Sequence, residues 1–594
     1  MKTRERFVQR WFPWLSAGYF LLLTIFMTWP LATRMSDQMA GQVGDNIYFV
    51  WMIGWFKKAL IDLHVNPFNV WFLNYPEGWS LAYTEITPAQ LLLAAPFSLI
   101  ASPTFAYNAA HLLSFLLSGL IMSLWVRRLT DSNGAALLAG TAYAFLPFHF
   151  AHFLIGHLNL SGLQWFPLFF WGFFDLLLYP PDGATASGKY QDRVQPAGSA
   201  IVKTGIGLGL IALTSQYYLY MTCLIAVFIW VIYTAFINRS IWCDRNFWKH
   251  WIFASLVALP LIAIAVAPYV SLAGRGELPD RELGVVRPYS AGLTDFLLPS
   301  TDHFVWGSWV GAHFNRDMWV EGTLYVGLVN LGLAVFAWLN RQKTGNRKLL
   351  ILMGAGGALA LLLAMGTDLH WNGAPVEIPT PAFLQGMISR STIPIPLPGW
   401  LLFKYFPLYA KLRALMRFGI FVLLFICTAA GLGAAQVLKR FAPRWKSALT
   451  VGLILLVLFD FYPGPYSEFA KVQARPVDAW LASQPGSDAV VQMPFSIAED
   501  QEHTYYTLVH GKPYVGGFFN AFPPAQYKRI KPILNNFPDK ESTALLRDLE
   551  VHWVLVDPTC YPDWKKTRKE IENFGFELEA EPGGMAVFIP QVEK

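Results

Sequence analysis

Apolar residues in this chain gather into long runs separated by polar stretches, and most runs are of membrane length. They occur near 14–32, 104–126, 134–153, 161–179, 204–214, 219–237, 250–271, 322–339, 348–366, 417–438 and 447–463. Roughly 20 apolar residues carry a helix across a bilayer, so the pattern predicts a mainly α polytopic membrane protein with about 11 transmembrane helices. The run at 204–214 is short, and SQYY (215–218) is either a turn between two helices or a polar kink in one. The segment 88–101 is broken by Pro96, is too short to span, and is expected to be re-entrant or interfacial. Residues 46–64 show apolar positions at helical spacing, interrupted by Lys57, Lys58 and Asp62, which predicts an amphipathic helix lying on the membrane surface. From about residue 466 the period changes. Alternating pieces at 488–495, 551–556 and 585–589, with helical pieces at 525–536 and 563–574, predict a small α/β domain.

Charge decides how these pieces are oriented. With eleven crossings, the clusters Arg127/Arg128, Lys189/Arg193/Lys203, Arg239/Arg245/Lys249, Arg341/Lys343/Arg347/Lys348 and Lys439/Arg440/Arg444/Lys446 all fall on the side of the amino terminus. The amino terminus itself carries Lys2, Arg4, Arg6 and Arg10, and cytoplasmic loops are the basic ones. Merging 204–237 into one crossing would put half of these clusters outside, so two helices are expected there. The first run is too long for a signal-peptide core and lacks a convincing cleavage site, so it reads as an uncleaved first helix. The expected organisation is a transmembrane domain over 1–463 with long outer loops at 34–103, 272–321 and 367–416. An extracytoplasmic α/β domain over 464–594 follows.

Composition agrees: 54% of the 594 residues are hydrophobic, 16% aromatic and 14% charged. The net charge of +6 belongs to the inner loops and does not argue for nucleic acid, so no nucleic-acid function is read. Cys223, Cys243, Cys427 and Cys560 share no close spacing, which implies neither a disulfide framework nor a zinc motif.

Candidate chemistry sits on the outer side. Asp45, in VGDNIYFVW (43–51), is an acid among aromatic residues at a membrane edge, where an ionised carboxylate is costly unless it has a use. The alternative is that it caps a helix starting at Asn46. Glu77 and Glu85 share its loop, while Asp302 and His303 in PSTDHFVWG and Asp317 and Glu321 in NRDMWVEG lie in the second. His149, His152 and His157 fall at the outer end of one run, placed either to hydrogen-bond a phosphate or sugar or to sit at the interface. Arg413 and Arg417 in LRALMRF are four apart, expected on one helical face, and both lie outside against the charge trend; Lys404 and Lys411 precede them. Guanidinium groups match phosphate oxygens in pairs; anchoring to lipid headgroups is the alternative.

The order of these features, with GDN (44–46), NYPEG (74–78), AYN (106–108), AYAFLPFHFAH (142–152), GHLNL (156–160) and QWFPL (164–168), resembles the GT-C glycosyltransferases, and in particular their bacterial, mostly uncharacterised members. The resemblance covers 1–463. It implies a polyprenyl-phosphate-linked sugar as donor, a glycan, lipid or protein as acceptor, and transfer at the outer face of a bacterial-type cytoplasmic (inner) membrane. It assigns the catalytic acid to Asp45. Arg413, Arg417 and Lys411 become the candidates for the donor phosphate, and Glu77, Glu85, His157, Asp302 and His303 those for substrate. A single base with direct displacement implies inversion. Many relatives carry paired acids in the first outer loop; here Asn46 follows Asp45, against a metal site made by adjacent carboxylates. No cofactor is certain, and Mg²⁺ or Mn²⁺ held by acids of two outer loops is the candidate. The terminal HGKPYVGGFFNAFPP (510–524), with His510, Lys512 and Tyr514, is suited to sugar contact and is equally an ordinary surface loop. The competing readings are a transporter or flippase of lipid-linked glycans and a scaffold with a glycan-binding outer domain. Transporters often show paired internal repeats, and none is seen in this chain.

Overall fold

Each apolar run is helical in the computed structural model, which describes residues 2–179, 197–343, 345–382, 390–466, 468–496, 500–518 and 523–591. The helices are α1 (Lys2–Met27), α2 (Asp45–Lys57), α3 (Pro88–Ser98), α4 (Pro103–Thr130), α5 (Asn133–Ala144), α6 (Pro147–Leu154), α7 (Trp165–Leu177), α8 (Ala197–Thr214), α9 (Gln216–Ile232), α10 (Arg245–Gly274), α11 (Leu328–Leu339), α12 (Arg347–Ala364), α13 (Gly419–Lys439) and α14 (Pro443–Phe461). Seven helical stretches among the described residues are long and apolar enough to cross a membrane: α4, α5 with α6, α8, α9, α10, α12 and α13; α7 and α11 are apolar but shorter. The chain is therefore a multi-pass membrane protein. At Ser215 the backbone is extended (φ −161°, ψ 135°), which separates α8 from α9 as the charge argument required. Lys189 and Arg193 of the expected inner clusters lie outside the described residues.

The carboxyl-terminal residues add α15 (Pro476–Ser483), α16 (Asp500–His510), α17 (Ala525–Leu534), α18 (Lys540–Asp548) and α19 (Trp564–Asn573) around four strands. These are β1 (Ala489–Met493), β2 (Val551–Val556), β3 (Phe576–Ala580) and β4 (Ala586–Pro590), in the spatial order β3-β4-β2-β1. β1 and β2 run parallel, with Val551 opposite Ala489. β4 is antiparallel to both neighbours, with Phe588 opposite Val554 and Leu578. Because side chains alternate along a strand, Val491, Val554 and Phe588 point to one core with Ile530, Leu546 and Ile571 of the helices, while Val490, Trp553, Leu555 and Val587 point to another.

That second face corrects the expectation for residues 46–64. α2 is not a surface helix: Asn46 through Trp55 are all buried, and they share one core with the sheet face and with Tyr107 of α4. Trp51 Nε1 donates to Thr507 Oγ1 of α16 at 3.2 Å, and Gly54 packs on Leu508. A solitary amphipathic helix would keep one face in water; here the carboxyl-terminal sheet occupies that position. The same loop is stitched to the sheet by backbone. Tyr514 N donates to Phe72 O at 2.7 Å and Asn74 N to Gly516 O at 2.7 Å, while Met39–Ala40 pairs antiparallel with Phe469–Ala470. His510, Lys512 and Tyr514 are consequently buried, and Lys512 Nζ donates to the carbonyls of Gln484, Pro485 and Gly486. Their place in a surface loop suited to sugar is thereby corrected to a structural one.

Candidate active site

Three segments far apart in sequence converge at one end of the helix bundle, around the turn that follows α6. Pro147 ends α5 and starts α6, since a proline cannot donate to the preceding turn. α6 then closes at Gly156, whose φ of +84° is left-handed. A Cβ at Gly156 would lie 2.5 Å from Asn46 N, so this glycine permits the turn to touch the first residues of α2. Neighbouring helices pin the turn: Gln90 Nε2 of α3 donates to Leu158 O at 3.3 Å, Tyr218 Oη of α9 to Leu160 O at 2.7 Å, and Tyr143 Oη of α5 to Leu163 O at 2.8 Å. On the facing side Asn46, wholly buried, shapes the entry to α2. Its Oδ1 accepts from Gly44 N (3.0 Å) and Ile47 N (2.9 Å), and its Nδ2 donates to Gln42 O (2.8 Å). The residue that replaces a second acid is thus a structural pin. Asp45 is itself the first residue of α2, with Gly44 at the cap position, so the helix does not begin at Asn46.

These two surfaces bring Asp45 Oδ2 to 3.0 Å from His157 Nε2. From there the contacts continue inward. His157 Nδ1 is 2.8 Å from His152 Nδ1, His152 Nε2 is 3.8 Å from Glu321 Oε2, and Glu321 accepts two hydrogen bonds at 3.0 Å from Arg417 Nε and a shorter one from Nη2. Exposure falls along this line, from 28% for the Asp45 side chain and 18% for His157 to 0% for His152 and 8% for Glu321. Burial alone would push the Glu321 carboxyl up, but the Arg417 guanidinium, with the two imidazoles, outweighs it and holds the group at about 2. Glu85 belongs to the same cluster: it accepts from Asn159 Nδ2, and burial raises its carboxyl above the ordinary range despite the pull of Arg417. The Tyr217 ring lies 5.5 Å from the Arg417 guanidinium carbon.

Of the residues singled out from sequence, Asp45, Glu85, His157 and Arg417 are brought together, and others are not. Arg413 does not share a helical face with Arg417. It precedes the single 3₁₀ turn Leu415–Phe418, is exposed, and donates to Tyr289 Oη while stacking on that ring. The i, i+4 inference needed a helix, and the backbone here is a bend followed by a short turn. Lys411 Nζ donates to Leu278 O (2.6 Å) and Asp280 (3.0 Å). Glu77 pairs at the surface with Arg529 of α17 (3.0 Å), as expected of a loop that the carboxyl-terminal body covers. Asp302 and His303 pack against the end of α14: His303 Nδ1 accepts from Val305 and Trp306 N–H, which leaves Nε2–H to donate to Phe459 O at 3.0 Å. In the sequence Glu321 is only one loop acid among several, and His152 only one of three histidines at the outer end of a run. The available signal was that Glu321 directly precedes the 322–339 apolar run, where an acid is costly without a partner.

A hard divalent cation needs several converging oxygens. Among the described residues no three His, Cys, Asp or Glu groups are arranged to hold a metal ion, and both Glu321 oxygens are engaged by Arg417. Among the described residues this geometry offers no converging oxygen set for Mg²⁺ or Mn²⁺.

A known family model, described as "Domain of unknown function (DUF6311)", matches residues 15–391, which carry Asp45, Glu85, His152, His157 and Glu321 of this arrangement but not Arg417. The chain belongs to the DUF6311 family. No curated protein matches it. Among solved structures, this DUF6311 chain is similar to the archaeal oligosaccharyltransferase AglB from Archaeoglobus fulgidus, in complex with an inhibitory peptide and a dolichol-phosphate. That match has 12% identity and a TM-score of 0.50, and covers 93% of this chain and 70% of that one. It is also similar to the arabinofuranosyltransferase AftD from Mycobacteria, with 14% identity and a TM-score of 0.52, covering 98% of this chain but 40% of that one. Both are GT-C glycosyltransferases. At these identities the likeness establishes the shared fold.

Proposed function

We propose that this DUF6311 protein is an inverting glycosyltransferase that moves a sugar from a polyprenyl-phosphate donor to an acceptor at the outer face of a bacterial inner membrane. The observation that carries the reading is Asp45. A carboxylate that is 28% exposed is held by an imidazole at 3.0 Å, at the more exposed end of a cluster that runs through the buried His152 and Glu321 to Arg417, in a fold shared with transferases. The solved AglB complex contains a dolichol-phosphate and a peptide, which supports a lipid-linked donor here. In the proposed step the acceptor hydroxyl attacks the anomeric carbon from the face opposite the phosphate. Asp45 takes the hydroxyl proton, the new carbon–oxygen bond forms, and the bond to the phosphate oxygen breaks with its electron pair leaving on the polyprenyl phosphate. Arg417 offers the cationic partner for that departing charge. Its guanidinium has five N–H groups, and the pair with Glu321 engages Nε and Nη2. Arg413 and Lys411, near the surface, are the candidates for first contact with the phosphate.

The test is turnover of purified protein with undecaprenyl phosphate carrying radiolabelled glucose, galactose, mannose, N-acetylglucosamine or arabinose, with and without membrane-extracted acceptor. At least one donor is expected to release its sugar. Asp45→Asn, which keeps the size, is expected to lower turnover by about 10²–10⁴-fold, the usual share of a general base, with undecaprenyl phosphate affinity unchanged. Undiminished turnover in Asp45→Asn would remove the base. Movement of intact donor between leaflets of proteoliposomes without sugar release would make the protein a flippase.

A further inference from the structure

We propose that residues 303–314 of the second outer loop form an aromatic wedge seated in the lipid headgroup region, on the side of the membrane where the candidate site lies. The inference does not depend on the transfer chemistry proposed above. HFVWGSWVGAHF (303–314) contains no Lys, Arg, Asp or Glu. Phe304, Val305, Trp306 and Trp309 are each about half exposed, as is Leu297 shortly before them. Single exposed apolar residues are ordinary, but a contiguous group of them marks a surface that meets a partner.

The backbone holds these rings outward. His303 fixes the base of the wedge: its Nδ1 accepts from Val305 N and Trp306 N at 3.1 Å, and its carbonyl accepts from Gly307 N at 2.8 Å. A Cβ on Gly307 would lie 2.1 Å from Thr301 O, so a glycine is needed where the chain folds back on itself. The short helix Gly307–His313 that follows buries Gly307 and Val310. Trp306, Trp309 and His313, spaced i, i+3 and i+7, are left along one exposed edge, and the Trp309 and His313 rings stack at 5.1 Å. Beyond Phe314 the chain is tied to the body again. Asn315 N donates to Asn372 Oδ1 at 2.8 Å and Arg316 pairs with Asp295, before the loop reaches Glu321.

Continuity identifies the partner. Phe304 packs edge-on against Phe459 of α14 (5.4 Å between centroids) and against Tyr462 (5.6 Å), and Tyr462 stacks on Phe26 of α1 (6.1 Å). α14 packs along α5, part of a membrane-length helical stretch, and buries Ile454, Val457 and Phe461 in the bundle core. Its other side exposes Val451, Leu455, Leu456 and Phe459. In a multi-pass membrane protein that stripe faces hydrocarbon, and the wedge continues it past the end of the helix. Tryptophan is the side chain placed at headgroup level, where the apolar body of the indole and its N–H each find a suitable environment. A glycan face would set its rings among polar groups that fix the ligand, whereas this segment offers no charged or amide side chain. Pro147 and Phe150 of α6 line one crevice with Asp302, His303 and Phe461, which puts the wedge at the end of the bundle that carries the candidate site.

The experiment uses the full-length protein carrying Cys223→Ala, Cys243→Ser and Cys560→Ser, in vesicles of phosphatidylethanolamine and phosphatidylglycerol; the remaining Cys427 is buried. A nitroxide is attached at Val305→Cys or at Trp309→Cys, with Lys565→Cys, exposed on α19, as the reference in water. Relaxation by oxygen, which concentrates in hydrocarbon, is compared with relaxation by a water-soluble nickel chelate. Both wedge labels are expected to gain oxygen contact and lose nickel contact relative to position 565. Adding Trp306→Ser and Trp309→Ser to Val305→Cys is expected to shift the balance back toward nickel, and an unchanged balance would overturn the anchoring role of the two indoles. Nickel contact at 305 and 309 equal to that at 565 would place the segment in water and overturn the inference. Low contact with both reagents would mean that protein or glycan covers the rings, and would overturn it equally. Val305→Cys removes no ring, so it carries the test should Trp309→Cys fail to fold.

Discussion

Arg417→Met is expected to destabilise the protein severely, and the size of the effect follows from where Glu321 sits. The two side chains are 13% and 8% exposed and bind through the Nε and Nη2 fork. Removing the guanidinium leaves a carboxylate in a site that burial alone would make hostile to charge, since the pair with Arg417 is what keeps Glu321 ionised at about 2. Breaking a buried pair on one side typically costs about 3–5 kcal/mol, whereas removing both charges together is often neutral or stabilising. The double variant Arg417→Met with Glu321→Gln is therefore expected to recover to within about 1 kcal/mol of wild type. Arg417→Lys keeps the charge but loses the fork, and is expected to fall between. The assay is equilibrium unfolding in dodecyl maltoside titrated with SDS, with undecaprenyl phosphate affinity and sugar release measured on the same preparations. A single Arg417→Met within about 1 kcal/mol of wild type, or a double variant no better than the single, would refute the account of the pair as a buried charge couple. A stable double variant that no longer binds undecaprenyl phosphate would separate the contact with donor from the scaffold role. The sign for pH is that of a depressed carboxyl. The stability of the pair is present above 4.5 and is lost only as pH falls from there through about 2, so Glu321 contributes no pH dependence near neutrality.

Gly156→Ala must displace the turn from Asn46, where its Cβ would meet N at 2.5 Å, and must also adopt a φ of +84°. Turnover is expected to fall by at least about 10-fold, with a stability loss above about 1 kcal/mol; unchanged turnover would show that the turn does not set the His157–Asp45 contact. Burial raises the Asp500 carboxyl, which accepts from Tyr514 Oη, Gly517 N and Phe518 N, from 3.8 to about 6. A raised carboxyl contributes stability that is present below the lower value and lost as pH rises through the upper one. The wild type is thus expected to lose about 2 kcal/mol relative to Asp500→Asn between pH 4 and 7, read from unfolding curves at the two pH values; parallel curves would exclude Asp500 as the titrating group. For orientation, in a Cys560→Ser background a membrane-impermeant maleimide applied to intact cells is expected to label Ser300→Cys and Asp539→Cys and not Lys343→Cys; labelling at 343 would reverse the assigned face.

The positions of the helices were legible because bilayer length and the 3.6-residue period act locally: every apolar run carries a helix, including the pair on either side of Ser215, although the run at 134–153 is split before Pro147 and that at 322–339 forms its helix only from Leu328. Asp45 was legible for a related reason, since an acid among Tyr48, Phe49 and Trp51 is anomalous against its own neighbours in sequence. What the chain could not disclose locally is what covers what. α2 has the spacing of a surface helix, yet it is buried, because the sheet face formed by Val490, Trp553 and Leu555 lies more than 400 residues downstream and closes over it. Arg413 and Arg417 are spaced as helix neighbours, but the backbone turns between them, a choice made by the packing of Leu415, Met416 and Phe418 into the bundle core. The site itself is a product of the tertiary structure. Glu321 acquires its partner from Arg417, 96 residues away, and His157 reaches Asp45 because a glycine at 156 and an asparagine at 46 let two turns meet. A local pattern records the environment each segment needs; which distant segment provides it is decided when the chain closes on itself.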